Sequence, residues 1–172
     1  GRVHDAAQAR RAIDMAQRVV QRVNLDLMFA LPGQDMDSCL ADLEQALAFG
    51  TDHLSFYHLT VEPNTVFAKY PPVLPDEDTS ASMQDAIEAS LEHAGLARYE
   101  VSAYARPGAR CRHNVNYWQF GDYLGIGAGA HGKLSFHDRI IRQARFKQPA
   151  AYLKAIAGWL GVSSAKKHIS AV

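Results

Sequence analysis

An α/β fold is predicted for this chain on three observations. Apolar spacing alternates between helical and strand periods, the links between segments are short, and the first strand is apolar almost throughout. The order reads helix, strand, helix, strand, helix, strand, which implies parallel strands joined by right-handed crossovers. An α/β barrel and a doubly wound sheet both satisfy that order.

The first helix is expected over residues 6–23, where Ile13, Ala16, Val20 and Val23 recur at helical spacing and Asp5 with Gln8 forms a capping box. Residues 24–31 are an apolar run interrupted by one acid, Asp26, as in a strand buried on both faces; Pro32 and Gly33 end it. Leu40, Leu43 and Leu47 mark a second helix, capped by Asp35 or Asp37 and left at Gly50. Strand character returns over 54–61. A proline-rich connection from Pro63 to Pro75 leads to a third helix with Met83, Ile87, Leu91 and Ala94 on one face and Gly95 as terminator. Residues 98–104 are expected as the third strand. Beyond Ala105 the crossover pattern stops, residues 110–132 are rich in aromatics and glycine, and Pro149 opens a last helix to about residue 160.

Composition narrows the function classes. With 172 residues, 48% hydrophobic and 21% charged, the chain has globular composition and length for one core or part of a larger one. Eighteen basic residues balance eighteen acidic ones, so no long-range field favours nucleic acid or an anionic membrane; a small, locally recognised ligand fits better. The longest nearly apolar run, Leu25 to Leu31, is far below the roughly 20 residues of a membrane span, so a soluble protein is expected. Cys39 and Cys111 are too few for a disulfide framework and are not a paired-cysteine metal motif, which suits a reducing cytoplasm. No signal segment opens the chain, and its start at Gly1 rather than Met suggests a piece of something longer. Three parallel strands alone would leave two long edges and an incompletely covered face, which argues the same way.

Several residues carry chemistry. A carboxylate on a buried strand, Asp26, must be paired or aimed at a ligand, and spacing leaves a partner on a neighbouring helix and a ligand contact about equally weighted. His113, Asn114, Tyr117 and Trp118 place an imidazole, an amide and two large aromatics close together. Such a set can hold a flat apolar cofactor, with imidazole as an axial haem ligand, yet residue types alone favour simple aromatic packing. The run from Gly127 to Gly132 matches G-x-G-x-x-G formally, but residues 133–136 read as a strand rather than the helix that fingerprint requires, so a tight backbone turn is expected. The eight histidines form no zinc-type pair, and Asp52 and Glu62 flank the second strand with no nucleophile motif beside them.

The motifs together resemble one family. The opening Gly1–His4, the stretches 24–34 (NLDLMFALPGQ), 54–63 (LSFYHLTVEP), 99–102 (YEVS) and 113–118 (HNVNYW), and the glycine run 123–132 (YLGIGAGAHG) occur in the order found in the radical S-adenosylmethionine (SAM) proteins of the oxygen-independent coproporphyrinogen III oxidase-like family. The HNxxYW stretch and the ending Ala130-His131-Gly132 favour its haem chaperone branch. The resemblance spans Gly1 to about Gly161.

That resemblance implies the second half of a partial (β/α)6 TIM-like barrel over 1–105, an extension over 106–161, and a tail, 162–172, unlike the family. It implies a haem chaperone that transfers haem to acceptor proteins, with His113 as the iron ligand and Asn114, Tyr117 and Trp118 around it. Arg2, Asp26 and Met28 match SAM-contact positions, and Thr60 matches one more loosely. A [4Fe–4S] cluster is implied for the full-length protein only, because the CxxxCxxC that holds it is absent here. A cytoplasmic location and haem-accepting partners follow, with no nucleic acid, weak association with membrane proteins left open, and no indication of oligomeric state. The alternatives are a porphyrinogen-decarboxylating oxidase, and a structural fragment inactive by itself.

Overall fold

Asp5 opens the first helix as its spacing predicts. Its carboxylate accepts the Gln8 N–H at 2.7 Å while the Gln8 side chain accepts the Asp5 N–H at 2.9 Å, closing the capping box of α1 (Ala6–Val19). The helix ends before Val23, because Val20 is already extended and leads the chain into β1 (Asn24–Phe29). The structure, a computed structural model, describes residues 4–157 and 167–169. It divides into two compact units, Gly1–Cys111 and Arg112–Val172.

In the first unit, α2 (Met36–Ala48) is capped by Asp35, whose carboxylate accepts the Ser38 N–H at 2.9 Å. β2 (His53–His58) then pairs parallel with β1, Leu25 against Leu54 and Leu27 against Phe56. The proline-rich connection contains one short helix, α3 (Val66–Lys69), and leads to α4 (Glu77–His93). Beyond Gly95, held at φ +79° where an L side chain is strained, the chain enters β3 (Ala97–Arg98) and β4 (Ala103–Ala105).

The third strand expected over 98–104 is therefore two strands. β4 pairs antiparallel with β2 and β3 antiparallel with β4, in the order β1-β2-β4-β3. The direction set by the α4 crossover survives in β3, which runs with β1 and β2; β4 folds back between them. Glu100 turns the chain, its carboxylate accepting the Ser102 N–H at 3.0 Å.

The core lies on one face of this sheet. Phe29, Leu54, Phe56, Leu96 and Tyr104 are buried with Cys39, Leu43 and Ala46 of α2 and Met83, Ile87 and Leu91 of α4. Each large side chain there contributes on the order of 1.5–3 kcal/mol by leaving water. The expectation that β1 is buried on both faces is corrected: its burial alternates, and Asn24, Asp26 and Met28 are exposed on the face opposite the core. Asp26 is tolerated because it stays in water.

The second unit begins with α5 (Arg112–Trp118), a helix within the stretch that the sequence marks as rich in aromatics and glycine without a helical period. The segment expected over 133–136 is β5 (His131–Ser135), paired antiparallel with β6 (Ile140–Ala144). α6 (Pro149–Ala157) follows, and β7 (Lys167–Ile169) pairs with β6. The later part of the last expected helix and most of the tail lie outside the described residues.

Candidate functional site

On the sheet face opposite the core, which is buried at His53 and Ser55 of β2 but exposed along β1, Asp26 and Met28 lie side by side as residues i and i+2. Their register partners on β2 are Ser55 and Tyr57. Met28 is 37% exposed and Tyr57 43%, so this face presents thioether and phenol surface beside a carboxylate. Asp26 Oδ1 accepts a hydrogen bond from the Asn24 amide at 2.7 Å. Thr60 lies just past the end of β2, exposed, its hydroxyl 3.5 Å from the His58 carbonyl; the structure thus brings Asp26 and Met28 together and leaves Thr60 at the strand's end. Arg2 lies outside the described residues.

In the second unit, α5 carries His113, Asn114, Tyr117 and Trp118. His113 and Tyr117, one turn apart, meet edge-on with ring centroids 4.7 Å apart, and Tyr117 stacks on Tyr123 at 4.6 Å. The Tyr117 hydroxyl is pushed above the usual phenol range by desolvation and by Tyr123 beside it, so it stays protonated and able to donate. Asn114 and Trp118 form the adjacent i, i+4 stripe, with Asn114 half-buried and Trp118 64% exposed.

The sequence does not single out what fixes α5. Gly121 N–H reaches the Asn116 carbonyl at 2.7 Å and Phe120 N–H the Tyr117 carbonyl at 3.0 Å, a Schellman closure whose left-handed position holds Phe120 at φ +56° instead of glycine. Lys133 clamps that turn. Its side chain is 2% exposed, and its ammonium donates to the Phe120 carbonyl at 2.7 Å, to Asp122 at 3.0 Å and to Ser135 Oγ at 2.8 Å, lying 3.9 Å over the Phe120 ring. Asp122 also accepts the Ser135 N–H, and these bonds hold its carboxyl at about 2. A lysine that opens the strand expected directly after the glycine turn is the one signal that could have pointed to the clamp.

The glycine run turns tightly, as expected. A Cβ on Gly125 would collide with the His131 carbonyl, and Gly127 and Gly129 take φ +105° and +74°. Tyr152 receives the Gly127 N–H at 3.0 Å, and Arg145 donates to the Gly125 carbonyl at 3.2 Å.

No family model matches the chain. Over 156 residues, 90% of its length, it is 47% identical to the heme chaperone HemW of Escherichia coli (strain K12). It is 37% identical over 162 residues to the heme chaperone HemW of Mycobacterium tuberculosis (strain H37Rv). Such identity across so much of the chain decides its kinship. The chain belongs to the HemW-type family. It is also 44% identical over 138 residues to a mouse mitochondrial protein described as radical S-adenosyl methionine domain-containing protein 1, covering 77% of this chain and 31% of that one. It spans 41% of the length of the E. coli HemW and 40% of the mycobacterial one. In fold it matches the solved E. coli coproporphyrinogen III oxidase HemN, a radical SAM enzyme, with TM-score 0.73 and 18% identity, over 98% of this chain and 41% of that one. The α/β class and the part-barrel reading therefore stand, with β4 as the departure from an all-parallel order.

Within this HemW-type chain the side chains can be tested against each expected group. An exposed imidazole and indole on one short helix, with a partly exposed phenol already packed on Tyr123 between them, could hold a flat apolar ligand and supply a nitrogen to its metal. The β1 face fits a ligand that needs a carboxylate acceptor beside apolar surface. The two cysteines do not fit a cubane cluster: Cys39 is buried in the α2 packing face, its thiol pushed up by desolvation, and Cys111 lies well away in sequence. Among the described residues no three His, Cys, Asp or Glu side chains come together to hold a metal ion, and no helix is long and apolar enough to cross a membrane.

Proposed function

We propose that this chain is the haem-binding portion of a cytoplasmic haem chaperone, which receives haem on α5 and passes it to acceptor proteins. The observation that carries the reading is the exposed His113–Tyr117 pair with Trp118 beside it, on a helix whose end is clamped by Lys133, in a chain of HemW type. Exposed aromatics grouped on one element mark a surface that a ligand or partner can cover. His113 would supply the iron-ligating nitrogen, Tyr117 and Trp118 would keep water from the porphyrin faces, and Asn114 would hold the local backbone or imidazole in place. An accessible surface site suits delivery, because the acceptor must reach the ligand without the donor unfolding.

SAM would contact Asp26, Met28 and, more loosely, Thr60, with Arg2 as a further contact. The [4Fe–4S] cluster would be held elsewhere in the full-length protein, where the radical SAM chemistry it supplies resides. The test is a haemin titration followed by absorption. A Soret band that saturates at one haem per chain supports the reading, and a spectrum indistinguishable from free haemin contradicts it. Porphyrinogen decarboxylation by the full-length protein, without haem binding, would favour the oxidase instead.

A further inference from the structure

Behind the Asp26 carboxylate runs a line of hydrogen bonds whose direction can be assigned. His53 opens β2 only 7% exposed, with Nδ1 2.6 Å from Asn24 Oδ1 and Nε2 2.6 Å from the Tyr99 hydroxyl. The Asn24 amide nitrogen is committed to Asp26 Oδ1 at 2.7 Å, so the atom facing His53 is a carbonyl oxygen, which only accepts. Nδ1 therefore carries the hydrogen. Burial holds the imidazole pKa below its ordinary value and the ring neutral, so Nε2 is the acceptor and Tyr99 donates to it. The Tyr99 oxygen accepts the Cys111 N–H at 3.1 Å, and Ser55 Oγ adds a second donor to Asn24 Oδ1 at 3.2 Å. Every donor points the same way: Cys111 to Tyr99, Tyr99 to His53, His53 to Asn24, Asn24 to Asp26.

We infer that His53, with Tyr99 behind it and Asn24 in front, is a positioning residue that holds the Asp26 carboxylate in the orientation that contacts SAM. The inference rests on the reading of Asp26 as a SAM contact. An exposed carboxylate on a strand face samples several rotamers, and fixing one before the ligand arrives removes that cost from binding. Asn24 could not do so alone, since its own amide is exposed; two donors on its carbonyl lock it. With Oδ1 fixed by Asn24, Oδ2 can meet a hydroxyl or ammonium donor of the ligand. Strand pairing does not need the line, because β1 and β2 already share a six-residue ladder and Phe56 N–H bonds the Ser102 carbonyl at 2.8 Å.

The test is calorimetric titration of SAM into the full-length protein carrying this chain, as wild type, Asp26→Asn, His53→Leu, Tyr99→Phe and the doubles with Asp26→Asn. Asp26→Asn is expected to weaken SAM roughly tenfold, and His53→Leu and Tyr99→Phe roughly three- to tenfold. In the Asp26→Asn background His53→Leu and Tyr99→Phe should add nothing, since their effect passes through the carboxylate. A merely structural role would add the same loss in both backgrounds, and that result overturns the inference. Should His53→Leu fail to fold, Tyr99→Phe, which removes one hydroxyl, carries the same comparison. Wild-type affinity in both His53→Leu and Tyr99→Phe, with Asp26→Asn weakened, sinks the inference alone; wild-type affinity in Asp26→Asn sinks the reading of Asp26 and the inference with it.

Discussion

His53 and Trp118 show how differently two residues can be read from the same chain. Trp118 stands out in sequence because HNxxYW groups rare residue types, and the structure leaves its ring 64% exposed on α5. Trp118→Ala should weaken haem binding roughly ten- to a hundredfold, the apolar contact of one large aromatic being worth on the order of 1–3 kcal/mol, without changing the ligand set of the iron. Equal affinity in a haem titration would return Trp118 to the role of an ordinary surface aromatic. His53 had no such signal, since its partners Asn24 and Tyr99 meet it only through strand pairing and the β3–β4 hairpin. Its lowered pKa has a stability consequence. As pH falls below about 6.5, the unfolded chain takes up a proton that buried His53 still refuses, so stability is present above that pH and is lost below it, down to the folded pKa. The urea midpoint should fall between pH 7.5 and 5.5 in the wild type and fall less in His53→Gln. Identical pH slopes in the two proteins would contradict the burial account.

At the scale of elements, α1, α2 and α4 were legible because caps and apolar stripes are local. Asp5, Asp35 and the Met83, Ile87, Leu91 stripe need only their own neighbours in sequence to declare themselves. The antiparallel β4 was not legible, since Glu100 reverses the chain through one side-chain bond that no periodicity reveals. Asp26 was misplaced for a related reason: Met28 and Ala30 extend the apolar run and hide the polar alternation that Asn24 and Asp26 begin. The clamp on α5 is the element-scale test. Lys133→Met removes the donor to the Phe120 carbonyl, which holds a phenylalanine at φ +56°, and should cost on the order of 2 kcal/mol. A lower melting temperature with weakened haem binding is expected; unchanged melting would mean the helix end is fixed without Lys133.

At the scale of the whole chain, β1 ends the strand order among the described residues. It is a six-residue strand, and its far face carries Met28 and, beside it, Tyr57 in contact with water. This chain studied alone should associate with rising concentration, and a sedimentation coefficient constant across a wide concentration range would contradict that expectation. The barrel reading came from motif order rather than from any single element, which is why it tolerated the error at β4. The central claim is that His113 ligates haem iron, and it is tested most directly by titrating haemin into wild type, His113→Ala and His93→Ala in parallel, both in this chain and in the full-length protein. His93 lies exposed near the end of α4, so His93→Ala should reproduce the wild-type Soret band, whereas His113→Ala should shift or abolish it. A His113→Ala protein that binds haem with unaltered spectrum and affinity would contradict the account.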